Sequence, residues 1–569
     1  MTGQLYPLNF KPGIKRDGAQ FQGEYCTDGT WVRWQRGFVR KMGGMKAVGQ
    51  SSAVFVLDPQ LAPFLPSCDI FTIIGPNNLY YSYYIWPYYD GSYHFSVGYT
   101  CVDNNFNESS ISNGGGGGTN SQSYFQISSI VDSRSNEKQI LFLITPSVDI
   151  NAKGAAILYY TKAYKEIGDI SSSLVQIDEG ADGGMCSYYP YLFVYGSNGT
   201  VRCSASNNPF NFEPSEDPNI PGGLKITLPI DDKVIYGAPT RGGTATPTLL
   251  FWTLSSVVLL SNIGVDSLIF KPTVISQSSS IMSSKCVVEY DGFFFWSGID
   301  RFFVYNGIVN ELSNPMNLNF FFDNVDMNKR QMVFGVKNLK YGEIWWFFPE
   351  KQYANDKYIG CTRAIVYNKR ENSWYDTSVV TLTGNPGTFI GKFAGCFCEA
   401  NGVMYTYGFP MVTNVIFQDY VYFIYIFAHE IGWYEVITSG NPSYNTQIPA
   451  TSTPIPSSFT TPIFSFASFN PLKQVTGTDR WTYMQRFEPD FRQNDKVNNI
   501  TLTVQVKKYP QSDFAPNIIN PLYNQFTFNG NTDFISMSVQ GRQIRCVFST
   551  NDFFEMGSPF MLLSVGDAQ

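Results

Sequence analysis

With 569 residues the chain has room for roughly two to four domains, and its 43% hydrophobic content excludes global disorder. Charged residues make up 15% and aromatics 16%, a balance that suits stacked sheets and broad protein contacts better than a strongly hydrated monomer. The net charge of −7, with 39 basic residues scattered among 46 acidic ones, argues against tight nucleic-acid binding.

Residues 1–10 show neither a basic n-region nor an apolar h-region. The ten cysteines are therefore expected in a reducing compartment, free and buried. The longest apolar run, 420–427, has the length of a strand and ends at His429-Glu430, so no membrane span is expected.

The first fifty residues form one segment. Within it, Trp31-Val32-Arg33-Trp34-Gln35 alternates as a strand does, and Arg36-Gly37 supplies a turn before Phe38-Val39-Arg40-Lys41. The basic residues suggest phosphate contact or an edge strand docking on a neighbour, and the docking reading is preferred. Residues 51–438 are expected to form one large β unit with insertions at about 75–125 and 411–438. The first insertion holds five consecutive glycines, Gly114 to Gly118, which predict a loop tip. Thr119-Asn120 after them lacks the Lys and Ser/Thr of a phosphate-binding loop.

From about 125 to 410, apolar runs of four to seven residues alternate with turns. Strands are predicted at 139–144, 156–161, 192–195, 201–205, 249–252, 257–260, 287–290, 293–296, 302–305, 344–348 and 364–367. Asn198-Gly199, Asp291-Gly292, Asn306-Gly307 and Asn401-Gly402 place glycine where hairpins need positive φ. A short helix is predicted near 319–328. Imperfect repeats of strand, Asx-Gly turn and strand point to an all-β fold, a β-propeller with an additional β platform or sandwich unit. A large β-sandwich is the alternative. Pro, Ser and Thr dominate 439–478, predicting a linker or projecting loop. Residues 479–569 follow as a C-terminal β platform unit, with strands near 481–487, 500–507, 534–539, 542–549 and 560–565.

Catalytic equipment is sparse. His94 and His429 are the two histidines, and neither accompanies a Gly-x-Ser-x-Gly elbow. His429-Glu430 opens like a zinc-protease helix but lacks the second histidine, and Cys396-Phe397-Cys398 has the wrong spacing for a zinc or redox pair. Carboxylate pairs such as Asp231/Asp232, Asp323/Asp326 and Glu488/Asp490 carry little weight, as does Glu343. Glu343 opens a strand that reads as central and buried, where it is expected to pair with an arginine of an adjacent blade or subunit. No enzyme, metal site or cofactor is expected.

Several stretches resemble one family. They are Phe10-Lys11-Pro12-Gly13-Ile14-Lys15-Arg16-Asp17-Gly18 with the run from Trp31 to Gly44, and the blade-like run from Tyr191 to Phe212. They also include Gly342-Glu343-Ile344-Trp345-Trp346-Phe347-Phe348-Pro349 followed by Val366-Tyr367-Asn368 and Glu371-Asn372-Ser373-Trp374. Glu488-Pro489-Asp490-Phe491 and Gly541-Arg542-Gln543 also fit. The chain resembles the tail nozzle (tail tubular, or packaged-DNA stabilisation) proteins of short-tailed bacteriophages.

That resemblance implies a virion structural protein, assembled in the host cytoplasm. It would be one subunit of a hexameric ring below the portal and the head-to-tail adaptor. Its partners would be further copies of itself, the adaptor, and tail fibres or a plug protein. Viral DNA would pass through the lumen without sequence-specific binding. Trp31, Arg33, Trp34, Arg36, Arg40 and Lys41 are expected at an assembly interface, and Glu343, Trp345, Trp346 and Trp374 in a blade core. The N-terminal segment and the unit after Asp479 are expected to combine into the platform. Two rivals remain: a receptor-binding or lectin-like propeller presenting Tyr-rich loops at 77–100, and a polysaccharide-cleaving tail enzyme using Glu343.

Overall fold

The computed structural model describes residues 3–18, 23–50, 55–56, 69–75, 78–89, 93–103, 108–118, 124–145, 156–164, 174–177, 181–217, 222–240, 248–265, 268–353, 360–379, 381–382, 389–413, 420–422, 425–437, 451–465, 480–509, 512–515 and 524–568. Two burial patterns distinguish its strands. Ile500–Lys507 alternates buried and half-buried positions, as a strand with one covered face must. Glu343–Phe348 is buried at every position, so neighbouring layers cover both of its faces. Tight turns join the strands: Asp291 (φ 52°) and Gly292 (φ 80°) connect Val288–Tyr290 to Phe293–Ser297, with Tyr290 opposite Phe293. Positive φ at both central residues matches the right-handed strand twist, which explains the Asp-Gly pair.

Six four-stranded antiparallel meanders follow one another over 69–118, 124–177, 184–227, 234–276, 288–312 and 334–378. A seventh sheet is built from Phe389–Cys398, Val403–Thr413 and Tyr425–His429, and Met45–Gln50 from the N-terminal segment pairs with its third strand. Side-chain alternation packs each sheet on the next. Ile140 and Phe142 face the first sheet with Tyr83 and Val97, whereas Leu141 and Leu143 face the third with Leu192 and Val194. Phe193 and Tyr195 then meet Leu249 and Phe251, while Leu250 and Trp252 join Trp296 and Trp346. Trp345 and Phe347 pack with Phe393 and Tyr405, and that cluster also holds Tyr84 and Trp86 of the first sheet. The ring of sheets thus closes on itself, as a β-propeller does. The chain is all-β with a propeller-type core; its few helices include Leu318–Asn324, close to the predicted short helix.

Both ends of the chain share the remaining sheets. Gln4–Pro7 pairs with Phe560–Ala568, which continues through Arg480–Glu488 to Ile535–Gly541. A second sheet runs Asp28–Thr30, Ser457–Thr460, Gln543–Thr550, Ile500–Lys507 and Gln525–Phe528. A third joins Phe491–Gln493, Phe554–Met556, Phe38–Lys41 and Val32–Gln35. Phe459, Phe487, Phe528 and Phe548 fill the space between, with the Phe459 and Phe548 rings stacked at 5.0 Å.

Three expectations are corrected. Gly114 to Gly118 lie in the strand Glu108–Gly118, paired with Tyr93–Val102, because a neighbouring strand's ladder holds a glycine backbone that has no strand preference of its own. Of the Tyr-rich run at 77–100, Tyr80, Tyr81, Tyr83, Tyr84 and Tyr99 are buried in the first sheet and not on glycan-facing loops, while the side chains of Tyr88, Tyr89 and Tyr93 lie outside the described residues. Within the expected linker, Thr451–Pro454 and Ser457–Thr460 are strands, and Phe459, Thr461 and Phe464 are buried. Positions 438–450 and 466–479 lie outside the described residues.

Candidate functional site

Two places gather charged groups. The first is the seam between the propeller and the terminal sheets. Arg33, fully buried on Val32–Gln35, approaches two carboxylates. Its Nη2 donates to Glu343 Oε2 at 3.1 Å and to Glu430 Oε1 at 2.5 Å. Its Nε lies 2.8 Å from Glu343 Oε1 without hydrogen-bond alignment, so that approach is Coulombic. The guanidinium stacks 3.6 Å from the Tyr341 ring centroid, leaving Nη1 unbonded.

Glu343 accepts further hydrogen bonds from Tyr375 Oη (2.6 Å) and Trp345 Nε1 (2.9 Å). Burial nevertheless raises the Glu343 pKa, with Glu430 adding to the rise and Arg33 opposing it. Burial also works against the Arg33 charge, but Glu343 and Glu430 overcome it and hold that pKa above the usual arginine value. Glu430 Oε2 in addition accepts from Gly43 N at 3.0 Å. A Cβ at Gly43 would stand 2.4 Å from that oxygen, so the close approach requires glycine. One node thus ties together the N-terminal segment, the sixth sheet and the seventh.

Neighbouring contacts extend the seam. Trp31 N donates to Thr377 Oγ1 at 2.9 Å, Asn368 Nδ2 donates to Trp34 O at 3.2 Å, and the Trp34 and Tyr375 rings lie 5.5 Å apart. Arg16 and Arg363 both pair with the buried Asp376. Lys41 Nζ donates to the backbone oxygens of Ile455 and Asn551. Burial lowers its pKa to about 8, with Asp552 partly opposing the shift.

The expected assembly interface is therefore corrected. Trp31, Arg33, Trp34 and Lys41 are buried inside the chain, where internal carboxylates hold the Arg33 charge and backbone carbonyls hold the Lys41 charge. Arg40 is half-buried, donating to Gln35 Oε1 at 2.7 Å, and Arg36 is exposed at the hairpin turn. Trp345, Trp346 and Trp374 lie in the blade core; Trp346 Nε1 donates to Cys286 O at 2.8 Å and its ring stacks on Trp374 at 5.9 Å. Glu430 and Tyr341 escaped sequence reading. Glu430 stood in the sequence beside His429, whose true partner is Thr406 Oγ1 at 2.7 Å. Burial, then Lys392 and Arg33, push the His429 pKa well down. The His94 side chain lies outside the described residues.

Remaining sequence candidates are dispersed. Asp232 accepts from Ser255, Asp326 caps Asn328 N, and Asp490 accepts from Ser558 N. Cys396 donates to Thr72 Oγ1 at 3.3 Å, and burial pushes its thiol up to about 12. Among the described residues, no helix is long and apolar enough to cross a membrane.

The second place is a cavity of about 450 Å³ on the axis of the ring. All seven sheets or their approaches line it, from Asp69 and Gln126 in the first two to Gly335 and Gly395 in the last two. Asp182, Lys233, Lys285 and Arg330 add charge. Its lining is gathered from separate blades, so no one motif in the sequence marks this cavity.

No family model matches the sequence, and no curated protein does. Among solved structures, the chain is similar to Trypanosoma rangeli sialidase in complex with sialic acid, at 8% identity and a TM-score of 0.32, over 94% of this chain and 95% of that one. It is similar to Pyrococcus horikoshii acylaminoacyl peptidase at 7% identity and a TM-score of 0.29, over 72% of this chain and 57% of that one. A family 43 β-1,3-galactosidase with galactodeoxynojirimycin aligns at 7% identity and a TM-score of 0.24, over 66% and 94%. No residue role transfers at such values. The expectation of no enzyme, made from missing motifs, is withdrawn: the structures named are a sialidase, a peptidase and a galactosidase.

Proposed function

We propose that the chain is a structural subunit of the tail nozzle of a short-tailed bacteriophage, a ring that retains packaged DNA and forms its exit channel. The observation that carries this reading is the Arg33–Glu343–Glu430 node. The two most specific stretches of the sequence resemblance, the N-terminal segment and Gly342 to Pro349, meet there in one buried contact. The residues that define the resemblance are thus those that fasten a closed propeller to sheets woven from both ends of the chain. A subunit that must hold its place in a ring while DNA moves past it needs two units locked as one body. The net charge of −7 fits a conduit that leaves phosphates unbound. Of the basic residues expected at the interface (Arg33, Arg36, Arg40 and Lys41), the exposed Arg36 is the one available to the adaptor or a neighbouring copy.

Light scattering and cryo-electron microscopy of the full chain, alone and with the portal–adaptor assembly, test the proposal. Sixfold rings with a central channel are expected, and Arg36→Glu weakens their attachment to the adaptor. A chain that stays monomeric in both settings and is missing from purified tails overturns it.

A further inference from the structure

The axial cavity has a use that the nozzle reading does not supply. Its carboxylates are already occupied by protein donors. Asp69 accepts from Ile70 N and Ile127 N, both at 2.9 Å, and Asp182 accepts from Ser197 N and Oγ and from Lys233 Nζ at 2.8–2.9 Å. Asp69 therefore offers its oxygens to the backbone, and Asp182 is spent on its own turn and on Lys233. Arg330 differs. It sits in the short helix Met327–Met332, half-buried, and its guanidinium has no hydrogen bond or ion pair among the described residues. An arginine that lines a concave site without a partner has its planar fork of donors free for an anion, and a carboxylate matches that fork in two parallel bonds.

Part of the wall is apolar. Tyr236, Met282 and Leu254 line it, and Leu254 keeps 43% of its surface exposed. An exposed leucine and a tyrosine in the wall offer a ligand apolar surface to cover, which an inorganic ion would leave uncovered. The volume of about 450 Å³ lies within the range of small-molecule sites, roughly 300–1,000 Å³.

We propose that the axial cavity binds a small ring-shaped organic carboxylate of the size of an acidic monosaccharide, with its carboxylate on Arg330 and its ring against Tyr236 and Leu254. Lys285, on the segment leading to Val288–Tyr290, adds a positive charge that offsets Asp69.

Calorimetric titration of the full-length protein tests this with D-glucuronate, D-glucose and inorganic phosphate as probes. Glucuronate is expected to bind with a dissociation constant below about 1 mM, the level at which a few polar contacts and one covered face suffice. Glucose, lacking the carboxylate, and phosphate, lacking the ring, bind at least tenfold more weakly. Arg330→Ala weakens glucuronate at least tenfold, and Arg330→Lys, which keeps the charge but not the fork, recovers part of the loss. Arg301→Ala, an exposed arginine already paired with Asp300 and Glu311, leaves binding unchanged. Absence of glucuronate binding at 10 mM overturns the proposal. So does equal affinity for glucose or phosphate, or an Arg330→Ala variant that is folded by its melting profile and binds normally. Ring assembly is independent of these readouts, so failure here and failure of the nozzle reading are distinguishable.

Discussion

Replacing Arg33 by methionine removes the cation from the seam while leaving most of its side-chain volume. Glu343, fully buried, then keeps no countercharge, and Glu430, with 13% of its side chain exposed, loses its nearest one. Two unit charges about 4 Å apart attract by about 4 kcal/mol at an effective dielectric constant near 20. Removing one partner of a buried pair costs about 3–5 kcal/mol, since the remaining charge is stranded. The loss has a ceiling, because Glu343 can take up a proton.

That escape makes the cost pH-dependent with a definite sign. In the variant the folded-state pKa of Glu343 stands further above its unfolded value, so the native state binds more protons than the unfolded one. Stability then falls as pH rises and recovers on acidification. Urea unfolding followed by tryptophan fluorescence at pH 5 and pH 7 reads the effect, and Trp345 is a built-in probe through its bond to Glu343. Hydrogen exchange over 28–43 and 343–348 localises it to the seam. The expected result is a loss of about 3–5 kcal/mol at pH 7 that shrinks towards pH 5, with Arg33→Met/Glu343→Leu more stable than Arg33→Met alone. A loss below about 1 kcal/mol, the scale of a surface pair, or a double variant costing the sum of the singles, refutes the reasoning.

Lys41, with its pKa lowered to about 8 by burial, binds fewer protons folded than unfolded between pH 8 and the ordinary lysine range. Stability therefore rises with pH across that window by up to roughly 3 kcal/mol; Lys41→Met flattens the profile, and melting temperatures at pH 7 to 9.5 check it. Trp346→Ala, which leaves a void beside Trp374 and strands Cys286 O, costs about 3–5 kcal/mol in urea unfolding. Buried thiols with pKa values pushed up to about 12, Cys396 and Cys546, resist alkylation at pH 8 in the native protein and react once denaturant is added, as mass spectrometry of iodoacetamide-treated samples will show.

Much of the fold was legible because propeller strands are short, apolar and punctuated by Asx-Gly turns. The predicted strand at 500–507 coincides with Ile500–Lys507, and 302–305 with Phe302–Tyr305. What escaped was decided by distant partners. Glycines 114 to 118 have no strand preference, yet the ladder offered by Tyr93–Val102 makes them a strand. Thr451–Pro454 looked like a linker by composition and pairs with Tyr434–Ile437 instead. At the seam, Glu343 was read as a buried carboxylate awaiting an arginine, but the arginine lies 310 positions earlier in the chain. Arg33 was read as a surface contact for the same reason: its partners are remote in sequence, and nothing local marks a buried charge.

The strand Met45–Gln50 has a consequence for how the protein is made. Its partner, Tyr425–His429, leaves the ribosome about 375 residues later, a delay of roughly 20–75 s at about 5–20 residues per second. Through that interval the early strand has an unsatisfied edge and the propeller cannot close. Synthesis therefore includes a waiting period in which the first fifty residues lack the strand that later pairs with them.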